Sequence, residues 1–448
     1  MKWTDYFYNA KQRLNGSNNN EESRSEFQKD YDRIIFSSAF RRLQNKTQVL
    51  PFPKSDYVRN RLTHSLETAS VGRSLGNIVG KTILEKYPDL KRKLKIQATD
   101  FGHLVSAACL THDIGNPPFG HSGEDAIASY FQSEKAQEFI KDLTHKQKAD
   151  LQNFEGNASG FRLIANTLEK VSNFPGGLRL TRGTYATFVK YPKESLPDRK
   201  AENKASLKKF GIYQSEIEEF ENQIAKPLNL ITQHTVEGKA WKRFPLTFLV
   251  EAADDICYHI IDFEDGYHMN FVPFKLLEEL FQAIIDWDEK NLNRYKEIYS
   301  EREKVNYLRS LAINQLVKDT SDIFLEREQE FLSGDLDVPL LNLLLEKKSE
   351  ILKRIIGYSV ENIYQSDPVL KIEVTGQKVI PNLLHHFIQA ILTPETHKQL
   401  FKLLPEEYRF GKNKYEKILN ITMFVSNMTD RQAVELFRNL NGISLPEY

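Results

Sequence analysis

An all-α protein with one small β element is the fold class this sequence predicts, and three observations predict it. Apolar residues recur at three-and-four spacing through most of the long segments. The breaks between those segments are clusters of polar residues, Gly or Pro. Only one stretch, Leu370 to Ile380, alternates on both sides of Thr375-Gly376, which suggests a β-hairpin near 370–380.

In chain order, an N-terminal segment (1–30) contains the first polar break, "NGSNNNEESRSE" at 15–26. The helical patterns "FGHLVSAACLTHDIG", "GFRLIANTLEKVSNF" and "FPLTFLVEAADDICYHIIDFEDG" fall within residues 31–270. "YPKESLPDRKAENKAS" (191–206) interrupts them, and the segment 191–240 is long, charge-rich and without a motif. Beyond "FLSGDLDVPL" (331–340), the pattern "PNLLHHFIQAILT" places further helices in a C-terminal region, 271–448. A chain of 448 residues exceeds what one simple core holds, so two lobes or an elaborated single domain are expected.

Composition narrows the function classes. Hydrophobic residues make up 40% and charged residues 27%, as in a soluble globular protein. Lys+Arg and Asp+Glu each number 61, so global charge gives no argument for a nucleic-acid or membrane partner. Cys109 and Cys257 both lie inside apolar helical patterns and suggest no disulfide framework, which points to a reducing cytoplasm. Neither a signal peptide nor an apolar run of membrane-spanning length is present, and a cytoplasmic location is expected.

The chemistry concentrates in "LTHDIGNPPFGHSGEDAI", residues 110–127. His112 and Asp113 end an apolar helix that Gly115-Asn116-Pro117-Pro118 stops. Together they offer an imidazole nitrogen and a carboxylate oxygen, donors suited to Mn, Fe, Ni, Co or Zn. An isolated His-Asp dipeptide is more simply a helix-terminal histidine with its ion-pair partner, so further ligands are needed. "RNRLTHSLETA" supplies His64, with Arg61 one turn earlier. In "LVEAADDICYHIIDFEDG", Asp254, Tyr258 and Asp262 share one stripe of a largely buried helix, where acids need a cation or hydrogen bonds. Asp255 and Asp265 read as solvated salt-bridge partners. Ser122 and Asp125 fit a capping box, so a helix N-terminus is expected beside the site.

The order His64, His112-Asp113, Asp254 resembles the H…HD…D metal site of the HD-domain phosphohydrolases. "FRRLQNKTQV", "RNRLTHSLE", "THDIGNPPFGHSGE", "FEGNASGFRL" and "FPLTFLVEAADDICY" narrow the resemblance to the bacterial deoxyguanosine triphosphate triphosphohydrolases. It runs from about Arg33 to Gly266, with a weaker echo in "IEVTGQKVIPNLL" and "SNMTDRQAVELF". The resemblance implies an HD-domain helical core over 31–270 and one divalent ion per subunit. Mn or Mg is the expected ion, while Co, Ni, Fe or Zn suit the same donors. It further implies hydrolysis of dGTP to deoxyguanosine and inorganic triphosphate, which would control the dNTP pool. His121 and Glu124 match the family's catalytic pair, in which Glu124 would fix the tautomer of the His121 ring.

Substrate contacts are likewise implied for Gln48, Arg61, Asn157, Lys190, Tyr191, Tyr258 and Asp262. Gln48 and Asp262 suit the sugar 3′-hydroxyl, Tyr258 leaves little room for a 2′-hydroxyl, and Lys190 and Arg61 suit phosphate oxygens. Read alone, "FEGNASG" is a turn before a helix starting near Phe161, and "VKYP" is a helix end. Regulation by a nucleotide or single-stranded DNA effector occurs among relatives, and a homo-oligomer (tetramer or hexamer) is expected. The alternatives are broader dNTP or other nucleotide specificity, or a nucleotide- or DNA-responsive binding protein. No base-reading residue is legible.

Overall fold

The computed structural model describes residues 2–14, 24–49, 58–165, 177–196, 204–233, 235 and 237–444. Most of the polar break at 15–26, residues 197–203 and the "GFRLIANTLEKVSNF" pattern beyond Ala165 lie outside the described residues. Helices form nearly all the regular structure, as the periodicity predicts.

At the centre two helices, Arg61–Lys86 and Ala98–Thr111, run antiparallel. Gly72, Gly76 and Gly80 recur every fourth residue and so share one stripe of the first helix. A Cβ at Gly72 would lie 2.5 Å from Cys109 Sγ, and one at Gly80 would lie 2.8 Å from the Phe101 side chain. At Gly76 it would meet the Phe101 carbonyl oxygen at 2.6 Å. The bare stripe therefore lets the two backbones nearly touch. It also sets the register, so that the start of one helix, with His64, meets the end of the other, with His112.

A third helix, Thr247–His268, lies against this pair and brings Ala253 to 3.6 Å from the Gly72 Cβ position. Leu249, Val250, Ile256 and Ile260 on it are fully buried, each contributing roughly 1.5–3 kcal/mol of apolar transfer energy. Asp254 follows Ala253 and so arrives beside the two histidines.

A second apolar cluster surrounds the helix His121–Gln132. Its Ile127 and Phe131 share that cluster with Val379, Leu383 and Phe387 of the helix Asp367–Leu392 and with Leu419 of the helix Lys414–Ser426. The chain's last helices thus return to support the turn that carries His121.

The hairpin expected near 370–380 is not there: Asp367–Leu392 is one helix, continuing through Pro381. Val369, Gly376, Val379, Ile380 and Leu383 are among its buried residues, and their spacing serves a helix face as well as a strand pair. Helix packing overrides the β-propensity of the stretch. Gly376 is not a turn residue but a point of close approach, where a Cβ would meet the Phe119 ring at 3.0 Å. The small β element lies instead in the unassigned 191–240 region, where Thr232–Gln233 pairs antiparallel with Ala240–Trp241. Two further expectations change. The helix holding Phe161 begins at Gly156, which places Asn157 in its first turn. The His121–Gln132 helix has Gly120 as its N-cap and no side-chain cap, because Ser122 lies inside the helix and donates to the Glu373 carbonyl.

Candidate active site

His64, His112 and Asp254, from three helix segments, place their donor atoms within 4.8 Å of one another. Each has one polar atom tied to protein or buried, and one left facing its neighbours. His112 Nδ1 lies 2.6 Å from the Cys109 carbonyl oxygen, which fixes the tautomer and turns Nε2 toward the site. Asp254 Oδ2 accepts from Lys190 Nζ at 2.6 Å, while Oδ1 sits 3.2 Å from His64 Nε2 and 3.4 Å from His112 Nε2. Asp113 joins from the same turn as His112. Its Oδ1 accepts from Arg61 Nη1 and from Asn116 Nδ2, both at 2.6 Å, and Oδ2 stands 3.7 Å from His112 Nε2.

His112 Nε2 and Asp113 Oδ2 are buried and lack a hydrogen-bond partner among the described residues. Buried polar atoms without partners are costly. Two imidazoles and the Asp254 carboxylate converge, with the Asp113 carboxylate beside His112 but outside the convergent group, and these donors fit a divalent transition ion. Electrostatics agree. Burial alone would raise the Asp254 carboxyl, but Lys190 and His112 outweigh it and hold it well below the ordinary range. Asp113 is lowered in the same way, with Arg61 and His112 outweighing its burial.

A cavity of about 470 Å³ opens over this cluster. Gln48, Arg61, Asn157, Lys190 and Tyr191 line it. Tyr258 lines it from the Asp254 helix, and His121 stands at its edge. The side chain of His121 is 84% exposed, and its Nδ1 lies 2.8 Å from Glu124 Oε2. Glu124 is itself fixed, since its Oε1 accepts from the Gly156 amide at 2.8 Å. Burial would raise the Glu124 carboxyl, yet the His121 bond, the Lys209 and His121 charges and the Gly156 amide bring it down to about 2. It is therefore an ionised acceptor throughout the neutral range. Gln48 Oε1 has no partner among the described residues, and the Asn157 amide donates to Glu155 at 2.7 Å.

Asp262 is set back from the others. It is 2% exposed, does not line the cavity, and accepts from the Tyr364 hydroxyl at 3.4 Å. Burial, outweighing the charge of His64, raises its carboxyl to about 7. Asp265 and Asp255 do not behave as solvated partners. Asp265 is buried and bound by the Arg59 amide and guanidinium. Asp255 faces the cavity with no side-chain ion pair among the described residues, and burial with the Glu251 and Asp254 charges raises its carboxyl well above the ordinary range.

Three contributors were not read from the sequence. Tyr364 stacks on Tyr258 with ring centroids 5.6 Å apart. Lys209, from the unassigned charge-rich region, places Nζ 3.1 Å from Glu155 and 3.7 Å from Glu124. Arg243 forms a double ion pair with Glu251, donates to the Lys190 carbonyl at 2.6 Å and lies over the Tyr191 ring. No local pattern marks Tyr364 or Lys209. Arg243 and Glu251 do carry a faint signal, as opposite charges flanking an apolar helix start.

A family model described as HD domain matches residues 61–175. The chain is 43% identical over 432 residues to a deoxyguanosinetriphosphate triphosphohydrolase-like protein of Synechocystis sp., covering 94% of this chain and 95% of that protein. A protein of the same description from Pseudomonas aeruginosa is 38% identical, with 96% of each chain covered. A deoxyguanosinetriphosphate triphosphohydrolase of Enterobacter sp. is 31% identical over 88% of this chain and 80% of its own. Among the described residues no helix is long and apolar enough to cross a membrane.

Proposed function

Because the chain belongs to the family of HD-domain deoxyguanosinetriphosphate triphosphohydrolases and their like, matched over nearly its whole length, we propose that it hydrolyses dGTP to deoxyguanosine and inorganic triphosphate. The observation that carries this reading is the single cavity in which the His64, His112 and Asp254 donors meet the His121–Glu124 pair. The ion is Mn or Mg, with Co, Ni, Fe or Zn suited to the same donors, held by His64, His112, Asp113 and Asp254. The chemistry such an ion supplies when bound is charge offset on a phosphoryl oxygen and a more acidic water.

The chain's own residues do the rest. In the net reaction a water oxygen joins the α-phosphorus, the bond to the 5′-oxygen breaks, and that oxygen gains a proton. His121, with Nδ1 held by Glu124, has Nε2 free to move a proton at the reacting oxygens. Lys190 and Arg61 keep donors beyond those spent on Asp254 and Asp113, and a triphosphate would engage them. Gln48 offers its unpartnered amide oxygen to the 3′-hydroxyl.

The test is incubation of the metal-loaded protein with each of the four dNTPs and GTP, with products resolved. Deoxyguanosine and triphosphate from dGTP are expected, and diphosphate or monophosphate products would overturn the reading. Comparable turnover of all four dNTPs would favour the broader-specificity alternative.

Sugar discrimination gives a second expected outcome. The Tyr258 ring is pinned against Tyr364, so it cannot easily swing away from a 2′-hydroxyl. An apolar pocket alone rejects an added hydroxyl by only about a hundredfold, so a fixed ring adds steric exclusion. Tyr258→Ala is therefore expected to narrow the dGTP-over-GTP preference, mainly through improved kcat/KM for GTP. An unchanged ratio would show that the sugar is read elsewhere.

A further inference from the structure

Resting on the dGTP reading, we propose that Asp430, in the chain's last described helix, is a positioning residue that holds both Gln48 and His121 in place. Asp430 opens the helix Asp430–Leu440, where an acid complements the helix dipole and ordinarily faces solvent. Here it is 1% exposed. Its Oδ2 accepts from the Thr47 amide at 2.9 Å and from the Thr47 hydroxyl at 2.5 Å. Its Oδ1 accepts from the Phe119 amide at 2.9 Å.

Those two partners come from segments far apart in the chain, and both line the cavity. Thr47 immediately precedes Gln48, so a carboxylate fixing the Thr47 amide and hydroxyl also fixes where the Gln48 amide points. Phe119 lies two residues before His121 and adopts φ +66, a left-handed conformation that a bulky residue keeps only when its surroundings enforce it. Gly120 follows at φ +61, and the helix of His121 starts next. The Asp430 bond to the Phe119 amide is one enforcing contact, and the helix at Gly376 packed on the Phe119 ring is the other.

Lys46 reinforces the same junction. It is buried, and its Nζ donates to the carbonyls of Asn116 and Ser426 at 2.5 and 2.8 Å. The turn between the last two helices is thereby tied to the loop that follows the metal-site residues. A segment far outside the HD-domain match at 61–175 completes the geometry of the site.

The experiment compares wild type, Asp430→Asn and Thr47→Val, each metal-loaded, on dGTP and on 2′,3′-dideoxy-GTP, with metal content and Tm measured in parallel. Asp430→Asn keeps size but presents an amide NH₂ to one of the two backbone donors. Its kcat on dGTP is expected to fall on the order of 10- to 100-fold, as a misplaced group far from the chemistry can cause. Metal content should stay at the wild-type level. The ratio of kcat/KM for dGTP over the dideoxy substrate should shrink as Gln48 loses its alignment. Thr47→Val, which leaves the Phe119 contact intact, should reduce that ratio while costing less in kcat. An equal proportional loss on both substrates that tracks a lowered Tm would show a merely structural role and overturn the proposal. Retention of wild-type kcat and ratio in both variants would do the same. Absence of dGTP hydrolysis by the wild type would instead overturn the functional reading, and this proposal with it.

Discussion

Asp113→Ala and His64→Ala are each expected to lose the bound ion and nearly all hydrolysis, while chelated wild type recovers on addition of Mn. The proposed ligand atoms come from three separate helix segments, so no neighbour can substitute for a missing one. The two variants differ in what else they disturb. Asp113 Oδ1 also receives Arg61 and Asn116, and its removal leaves the buried Arg61 guanidinium without its carboxylate. Breaking a buried pair in that way costs about 3–5 kcal/mol, so Asp113→Ala also lowers Tm. Asp113→Asn separates the two effects. Its amide oxygen still accepts from Arg61 and Asn116, which preserves the fold, yet the lost charge weakens ion binding. Metal content per chain, Tm and dGTP turnover measured on all three variants check this. Full activity in a metal-free, chelated preparation would sink the assignment of these residues.

The helical architecture was legible because burial imposes a period of 3.6 residues on each strongly amphipathic segment. Asp254 stood out as an acid on a buried helix that needs a compensating partner. His64 and His112 read locally as ordinary helical histidines, and only the resemblance of their order to the H…HD…D pattern joined the three into one site. Leu370 to Ile380 misled because a buried face at 369, 376, 379 and 383 coexists with local alternation, and only the packing on Phe119 and Ile127 decides between them. Tyr364, Lys209 and Asp430 were not legible for a related reason. Each reaches the site through contacts distant in sequence, and a tyrosine, a lysine or a helix-initial acid is unremarkable in its own neighbourhood. Asp265 shows the same limit in reverse, since its neighbours look like a solvated helix end while Arg59 buries it. The "SNMTDRQAVELF" stretch around Asp430 stood out only as an echo of a family, and its physical reason appears once Thr47 and Phe119 are seen to converge on it.

His121→Ala is expected to cost on the order of 10²–10⁴ in turnover while leaving the ion bound. The His121 side chain lies outside the ligand cluster and is 84% exposed, so its removal neither opens the metal site nor creates a core cavity. Tm should still fall, by the equivalent of about 1–3 kcal/mol, because the buried Glu124 carboxylate loses the Nδ1 hydrogen bond and keeps only the Gly156 amide and Lys209. What is lost is an imidazole that Glu124 orients through Nδ1. Glu124 has a carboxyl held at about 2, so it remains ionised and keeps accepting from Nδ1–H at every pH near neutrality. Its share of stability is accordingly present above the ordinary carboxylate range and is lost only as pH falls toward 2. Glu124→Gln should impair turnover in the same direction as His121→Ala but less. A glutamine can keep its oxygen on the Gly156 amide and must then turn its NH₂ toward Nδ1, which favours the opposite tautomer and leaves Nε2 protonated. Steady-state kinetics on dGTP with parallel metal analysis check both variants. Normal hydrolysis by His121→Ala would show that this histidine is only part of the turn, and that proton transfer is carried by another group in the cavity.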